Sequence, residues 1–180
     1  IVNQITTLAR LETASVELEK IITAERNQDV FWGALGESMI FVAHGKVVAG
    51  VDFALMETAD LQVVDPDTVW IHLPEAQIFA DLPVLDNAQS YVADRDTGLL
   101  ASADPQLETQ VRQQAEIVIR EEAMGTDLLQ QANINAQTYM RDFLNGLGFE
   151  NVVFYTETPP TPPPFEPEIP KGYVTTTPAP

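Results

Sequence analysis

Ser38-Met39-Ile40-Phe41-Val42-Ala43-His44-Gly45-Lys46-Val47-Val48-Ala49-Gly50-Val51-Asp52-Phe53 holds two runs rich in β-branched and apolar residues, separated by His44-Gly45. Such runs read as strands, because branched and aromatic side chains suit a pleated, half-buried surface. The break between them predicts a hairpin turning at His44-Gly45, with Gly45 at positive φ. A hairpin alone is marginal in water, so the flanking sequence must supply further strands and a cover for the apolar face.

On the N-terminal side, Ala14, Val16 and Leu18 alternate with Ser15, Glu17 and Glu19, and Ile21-Ile22 follow. Thr13 to Ala24 is therefore a strand with one face buried, and a bulge near Lys20 would carry the change of phase. Val2, Ile5 and Leu8 recur three apart, which predicts a short amphipathic helix over Ile1 to Leu11, too short to stand alone. Val30 to Gly36 mixes bulky apolar residues with two glycines and reads as a packed loop.

On the C-terminal side, Asp65-Pro66-Asp67 is turn chemistry. Thr68 to Leu73 after it is a strand stopped by Pro74, paired with residues 61–64 in a second hairpin. Gln77 to Leu82 and Ala88 to Val92 are further strand segments. At Asp104-Pro105 the period changes from two to 3.6: an N-cap and a proline at N1 open a helix whose stripe is Leu107, Val111, Ala115, Val118 and Glu122, ending at Gly125. Glu108, Arg112, Glu116 and Arg120 recur every four residues on another face, the spacing of ion pairs along a helix. A second helix begins at Thr126 or Asp127 and carries Leu128, Leu129, Ala132, Ala136, Tyr139, Met140, Phe143 and Leu147 on one broad face.

The fold class is thus α+β: antiparallel β hairpins forming a sheet, two amphipathic helices packed on it, and a closing strand over Asn151 to Tyr155. Residues 1–155 form this domain and residues 156–180 a proline-rich tail or linker. Nine of the 24 residues from Glu157 to Pro180 are proline, which forbids a helix or a central strand there. The tail reads as an extended spacer; Phe165, Ile169 and Tyr173 are its anchors if it docks in a groove or straps its own domain.

Nine Lys and Arg stand against 27 Asp and Glu, a formal charge of −18 that repels phosphate backbones, so nucleic acid is excluded as a partner class. The absence of cysteine removes disulfides, thiolate nucleophiles and cysteine-based metal sites.

Few residues carry the patterns of chemistry. His44 and His72 have no second histidine or carboxylate at ligand spacing beside them. Tyr91 to Leu100 contains Asp94-Arg95-Asp96-Thr97-Gly98, which fails as a calcium-binding helical-hairpin loop because Pro105 falls where a bidentate Glu is needed. A looser calcium site through Asp94, Asp96 and a backbone carbonyl is one reading. In the other, Arg95 bridges carboxylates or caps carbonyls while Gly98 turns the chain towards the first helix. Asp81, Asp86, Asp94 and Asp96 could supply paired carboxylates to a hydrolase, although no spacing requires it. Phosphate-binding glycine loops and nucleophile elbows are absent. No catalytic residue, metal site or cofactor is assigned.

The order of these pieces resembles the DUF4230 family. The likeness lies in Thr13 to Ala24, in Ala43-His44-Gly45-Lys46-Val47-Val48-Ala49-Gly50-Val51-Asp52, in Ile71-His72-Leu73-Pro74, in Asp94-Arg95-Asp96-Thr97-Gly98-Leu99 and in Leu147-Gly148-Phe149-Glu150-Asn151-Val152. His44 stands where the family more often has arginine, and the proline-rich tail falls outside the pattern. The resemblance implies a motif of unknown role made by Gly45, Gly50, Asp52, Asp94, Arg95, Asp96 and Gly98. It also implies an N-terminal transmembrane helix, consistent with a chain that starts at Ile1 rather than Met. The expected function is a non-enzymatic, membrane-tethered, extracytoplasmic domain that contacts protein partners or forms part of an envelope assembly. A calcium or small-ligand module at Asp94/Asp96 and a carboxylate-based hydrolase are the alternatives.

Overall fold

One long antiparallel ladder organises the computed structural model, which describes residues 10–26, 36–98, 100 and 102–156. Strand β1, Arg10–Arg26, pairs along its whole length with β2, Glu37–Asp52, from Arg10↔Asp52 to Arg26↔Glu37. The expected turn at His44-Gly45 is not there. Both residues lie inside the ladder, opposite Glu19 and Leu18, and the positive-φ glycine among the described residues is Gly148. The two apolar runs are one strand because the period of two continues unbroken across the glycine: Ala43, Gly45 and Val47 all face the helices. Gly45 answers a need for space. A Cβ there would lie 2.8 Å from Cδ1 of Ile119 and 3.0 Å from the Val84 carbonyl oxygen.

The bulge also differs from expectation. It falls at Thr13, between the pairs Glu12↔Gly50 and Ala14↔Ala49, and no phase change occurs at Lys20. Beyond the bulge, Ala14, Val16, Leu18, Lys20, Ile22 and Ala24 face the helices while Ser15, Glu17, Glu19, Ile21, Thr23 and Glu25 face away. Lys20 keeps its inward position by reaching the rim, where Nζ lies 3.1 Å from Glu122. Ile21 consequently points outward, 67% exposed.

After 3-10 turns at Phe53–Leu55 and Thr58–Asp60, β3 (Leu61–Asp65) and β4 (Thr68–Ile71) form the expected hairpin. Of Gln77 to Leu82 only β5, Gln77–Ile78, is strand; residues 87–89 turn, and β6 runs over Tyr91–Thr97. β5 pairs with one half of the far side of β2 and β6 with the other. Helix α1, Pro105–Met124, is capped by the Asp104 carboxylate, which accepts from Gln106 N–H, and α2 spans Leu128–Gly146. β7, Asn151–Phe154, closes a second sheet in the order β3-β4-β7, parallel to β4.

Both helices bury stripes that step by four: Leu107, Val111, Ala115, Ile119, Ala123 on α1 and Leu128, Ala132, Ala136, Met140, Leu144 on α2. Val118, Glu122, Tyr139 and Leu147, expected on these stripes, lie outside them, and Tyr139 and Leu147 are 42% and 46% exposed. Steps of four drift about 40° round a helix of 3.6 residues per turn, which keeps each helix in contact with a twisted sheet. The stripes meet Met39, Phe41, Val47 and Val51 of β2, and Phe53 of the turn after it, in the core. Each large side chain fully buried there contributes about 1.5–3 kcal/mol. The expected N-terminal helix, apart from Arg10 and Leu11 which belong to β1, the loop over residues 30–35, and the anchors Phe165, Ile169 and Tyr173 lie outside the described residues.

Candidate functional site

The helices cover one face of the large sheet, and the other face carries the concentrated charge. Registers Glu17↔Lys46, Glu19↔His44, Ile21↔Val42, Thr23↔Ile40 and Glu25↔Ser38 set out this open face row by row. Across β2, the rows continue as Val42↔Tyr91, Ile40↔Asp94 and Ser38↔Asp96. Its middle is therefore apolar, with Ile21, Val42, Ile40 and Tyr91, and carboxylates lie on both sides. Among the described residues β1, a strand of 17 residues, pairs with β2 alone, so its opposite edge has no strand partner.

One end of that edge is closed. At the bulge, Thr13 Oγ1 donates to the Ala132 carbonyl and Asn135 Nδ2 donates to the Thr13 carbonyl, so α2 takes the backbone group that the bulge leaves unpaired. Gly50 lies beneath the same bend, where a Cβ would collide with the backbone of Leu11. Asp52 caps the first 3-10 turn through Ala54 N–H and lies 3.7 Å from Arg10 Nε. Arg10 Nη1 donates to both oxygens of Asp81, and that hydrogen bond holds the Asp81 carboxyl below the usual aspartate range.

Arg95 and its two flanking aspartates separate by side. Arg95 turns to the helix face, where Nε donates to Glu37 Oε1 at 2.7 Å and Nη2 to the Asp104 carbonyl at 2.8 Å. Glu37, 3% exposed, accepts from Asp104 N–H through its other oxygen. Asp104 thus caps α1 with its side chain while its main chain is tied to both members of the pair; Arg26 meets the same carboxylate. This is the bridging role expected of Arg95. Asp94 and Asp96 point to the open face, exposed, and Gly98 N–H donates to the Gly36 carbonyl at the end of the strand.

A shallow cavity of about 240 Å³ lies on the open face, lined by Glu17, Glu19, His44, Lys46, Asp86 and Gln89 among others. His44 Nε2 is 3.1 Å from Glu19 Oε2. Asp86 is held below the usual range first by the Gln89 side-chain amide and then by the backbone N–H groups of Ala88 and Gln89. Asp81, Asp94 and Asp96 do not line this cavity, so the four aspartates are not gathered in it. Among the described residues no three His, Asp or Glu side chains are grouped to hold a metal ion. His72 Nδ1 lies 3.1 Å from Asp60, whose second oxygen accepts from Glu57 N–H, in a polar cluster with Tyr155. Burial, then the charge of Asp60, raises the Tyr155 phenol above its ordinary value.

The expectations from sequence do not contain the buried Glu37, the second role of Asp104, the outward Ile21 or the one-sided pairing of β1. The length of β1 had a signal, since Arg10 to Arg26 contains neither Pro nor Gly.

A family model described as protein of unknown function (DUF4230) matches residues 3–154. The chain belongs to the DUF4230 family. Of the motif residues that the family resemblance implied, Gly45, Gly50, Asp52, Arg95 and Gly98 all hold the fold together, by close approach, capping, ion pairing or backbone hydrogen bonding. No curated protein and no solved structure matches the chain. Among the described residues no helix is long and apolar enough to cross a membrane.

Proposed function

We infer that this domain is a non-enzymatic binding module that contacts other proteins through the free edge of β1. The observation that carries this reading is the length of the edge. Strands average about 5–6 residues, and a sheet edge exposes the backbone N–H and C=O of every second residue as a template for another strand. β1 has 17 residues and, among those described, pairs on one side only. The motif residues support the same reading because five of the seven are engaged in holding the scaffold, and of these Gly45 alone also lines the open-face cavity.

A photo-crosslinking residue placed at Ile21 or Thr23 in the native host tests the inference, with exposed Gln113 on α1 as the control. Protein adducts from the β1 positions and none from Gln113 are expected; no adduct from β1 sinks the reading. The membrane tether implied by the family resemblance is part of the proposal. Fractionation of the full gene product is expected to leave it with the membrane pellet, and full recovery in the soluble fraction would remove the tether without touching the edge.

A further inference from the structure

Resting on the edge reading, we propose that β1 accepts an extended segment of a partner protein with Lys or Arg at alternate positions around one apolar residue. The register of the exposed row defines that pattern. Glu17, Glu19, Ile21, Thr23 and Glu25 point to the same face, about 7 Å apart, so an added strand places alternate side chains directly beside them. The complement is basic beside Glu17, Glu19 and Glu25, apolar beside Ile21, and β-branched beside Thr23. Along an antiparallel partner this reads basic, x, β-branched, x, apolar, x, basic, x, basic. The intervening residues would extend the half-buried row of Val16, Leu18, Ile22 and Ala24 at the rim of the core.

Charge decides against a second copy of the chain. Two β1 strands paired antiparallel about Ile21 would set Glu17 of each beside Glu25 of the other, between molecules that each carry a formal −18. Lys20, turned inward to Glu122, and the bulge closed by Asn135 are further devices that sheet edges use to deter unspecific pairing. What remains without a strand partner among the described residues, from Ser15 to Arg26, is therefore selective: main-chain hydrogen bonds would hold any strand, and the glutamate row admits a basic one.

A dye-labelled nonapeptide, Lys-Thr-Thr-Thr-Val-Thr-Lys-Thr-Lys, capped at both ends and titrated against the whole chain by fluorescence anisotropy, tests this. Saturable binding is expected, weakened at least tenfold by Glu17→Gln/Glu19→Gln/Glu25→Gln, whose exposed positions leave the circular dichroism spectrum unchanged. N-methylation of one alternating set of peptide amides should abolish binding, while methylation of the other set should not, since only one set faces β1. No saturable binding, or equal response to both methylated peptides, overturns the proposal. So does a dimer of the chain that Ile21→Lys dissociates, because the edge would then belong to a second copy. If β1 crosslinks to a partner but the peptide does not bind, the basic chemistry is wrong and the edge reading stands; if neither occurs, the edge reading falls too.

Discussion

Arg95 on β6 donates from Nε to one oxygen of Glu37 on β2 at 2.7 Å and holds Nη2 within 2.6 Å of that oxygen, while the other oxygen of Glu37 accepts from the main chain of Asp104. Sheet and helix N-terminus are joined by one nearly inaccessible carboxylate. Removing a single partner of such a pair leaves a charge without compensation, at a cost of about 3–5 kcal/mol when both are buried. Arg95 is partly exposed, so Arg95→Met is expected near the lower end, about 3 kcal/mol, measured as a loss of urea stability. Glu37→Gln in the same chain should recover part of it. A change under about 0.5 kcal/mol, the usual effect of a surface substitution, would mean that the pair is not structural.

Gly45 marks where α1 comes closest to the sheet. Its missing Cβ would lie 2.8 Å and 3.0 Å from Cδ1 and Cγ2 of Ile119. Overfilling a packed core costs about 1–3 kcal/mol, so Gly45→Val should destabilise by that amount, and Gly45→Ala by less. Ile119→Val should lower the cost of Gly45→Ala in a double-mutant cycle, because the atom in the way belongs to a side chain. Gly50→Ala should admit no such relief, since its neighbour is the backbone of Leu11. Additive effects of the Gly45 and Ile119 substitutions would contradict this account.

These glycines also explain what the sequence could and could not convey. Alternation in Thr13 to Ala24, the Asp65-Pro66-Asp67 turn and the Asp104-Pro105 cap are local signals, and they located β1, the β3–β4 hairpin and α1. A glycine between two apolar runs is ambiguous locally: it serves a turn or a close approach, and the decision rests on Ile119, 74 residues further on. The continuing period of two through Ala43, Gly45 and Val47 was the better guide. Glu37 carries no local signal of burial, because its burial goes with Arg95 arriving from β6. The one-sided pairing of β1 among the described residues is a property of topology, and no single segment contains it.

Asp86 should titrate below the usual aspartate range, and Gln89→Ala should bring it back up, as followed by carboxyl-carbon NMR. The amide of Gln89 is the largest influence on it. For a carboxyl whose folded pKa is depressed, the associated stability is present above the unfolded pKa and is lost as pH falls through the folded value. Any stability difference between wild type and Gln89→Ala should therefore shrink on acidification. Because solvent screens this surface group, the difference at neutral pH is small. An Asp86 titration unmoved by Gln89→Ala contradicts the assignment.

Asp94 and Asp96 provide the last test, since their identical chemistry on one strand face could serve either calcium or the open face as a whole. Both are exposed, with Ile40 and Ser38 as cross-strand neighbours, and described residues supply no third carboxylate or histidine grouped with them for a metal. Two monodentate oxygens fall far short of the six to eight that calcium takes. Calorimetric titration with calcium should accordingly give no saturable heat that Asp94→Asn/Asp96→Asn abolishes. The same double variant should change stability by no more than about 0.5 kcal/mol, because neither side chain is buried or holds another element in place. It should also leave crosslinking from Ile21 intact, since β2 lies between β6 and the free edge. Loss of that crosslink would instead make the whole open face, from β1 to β6, the surface that the partner reads.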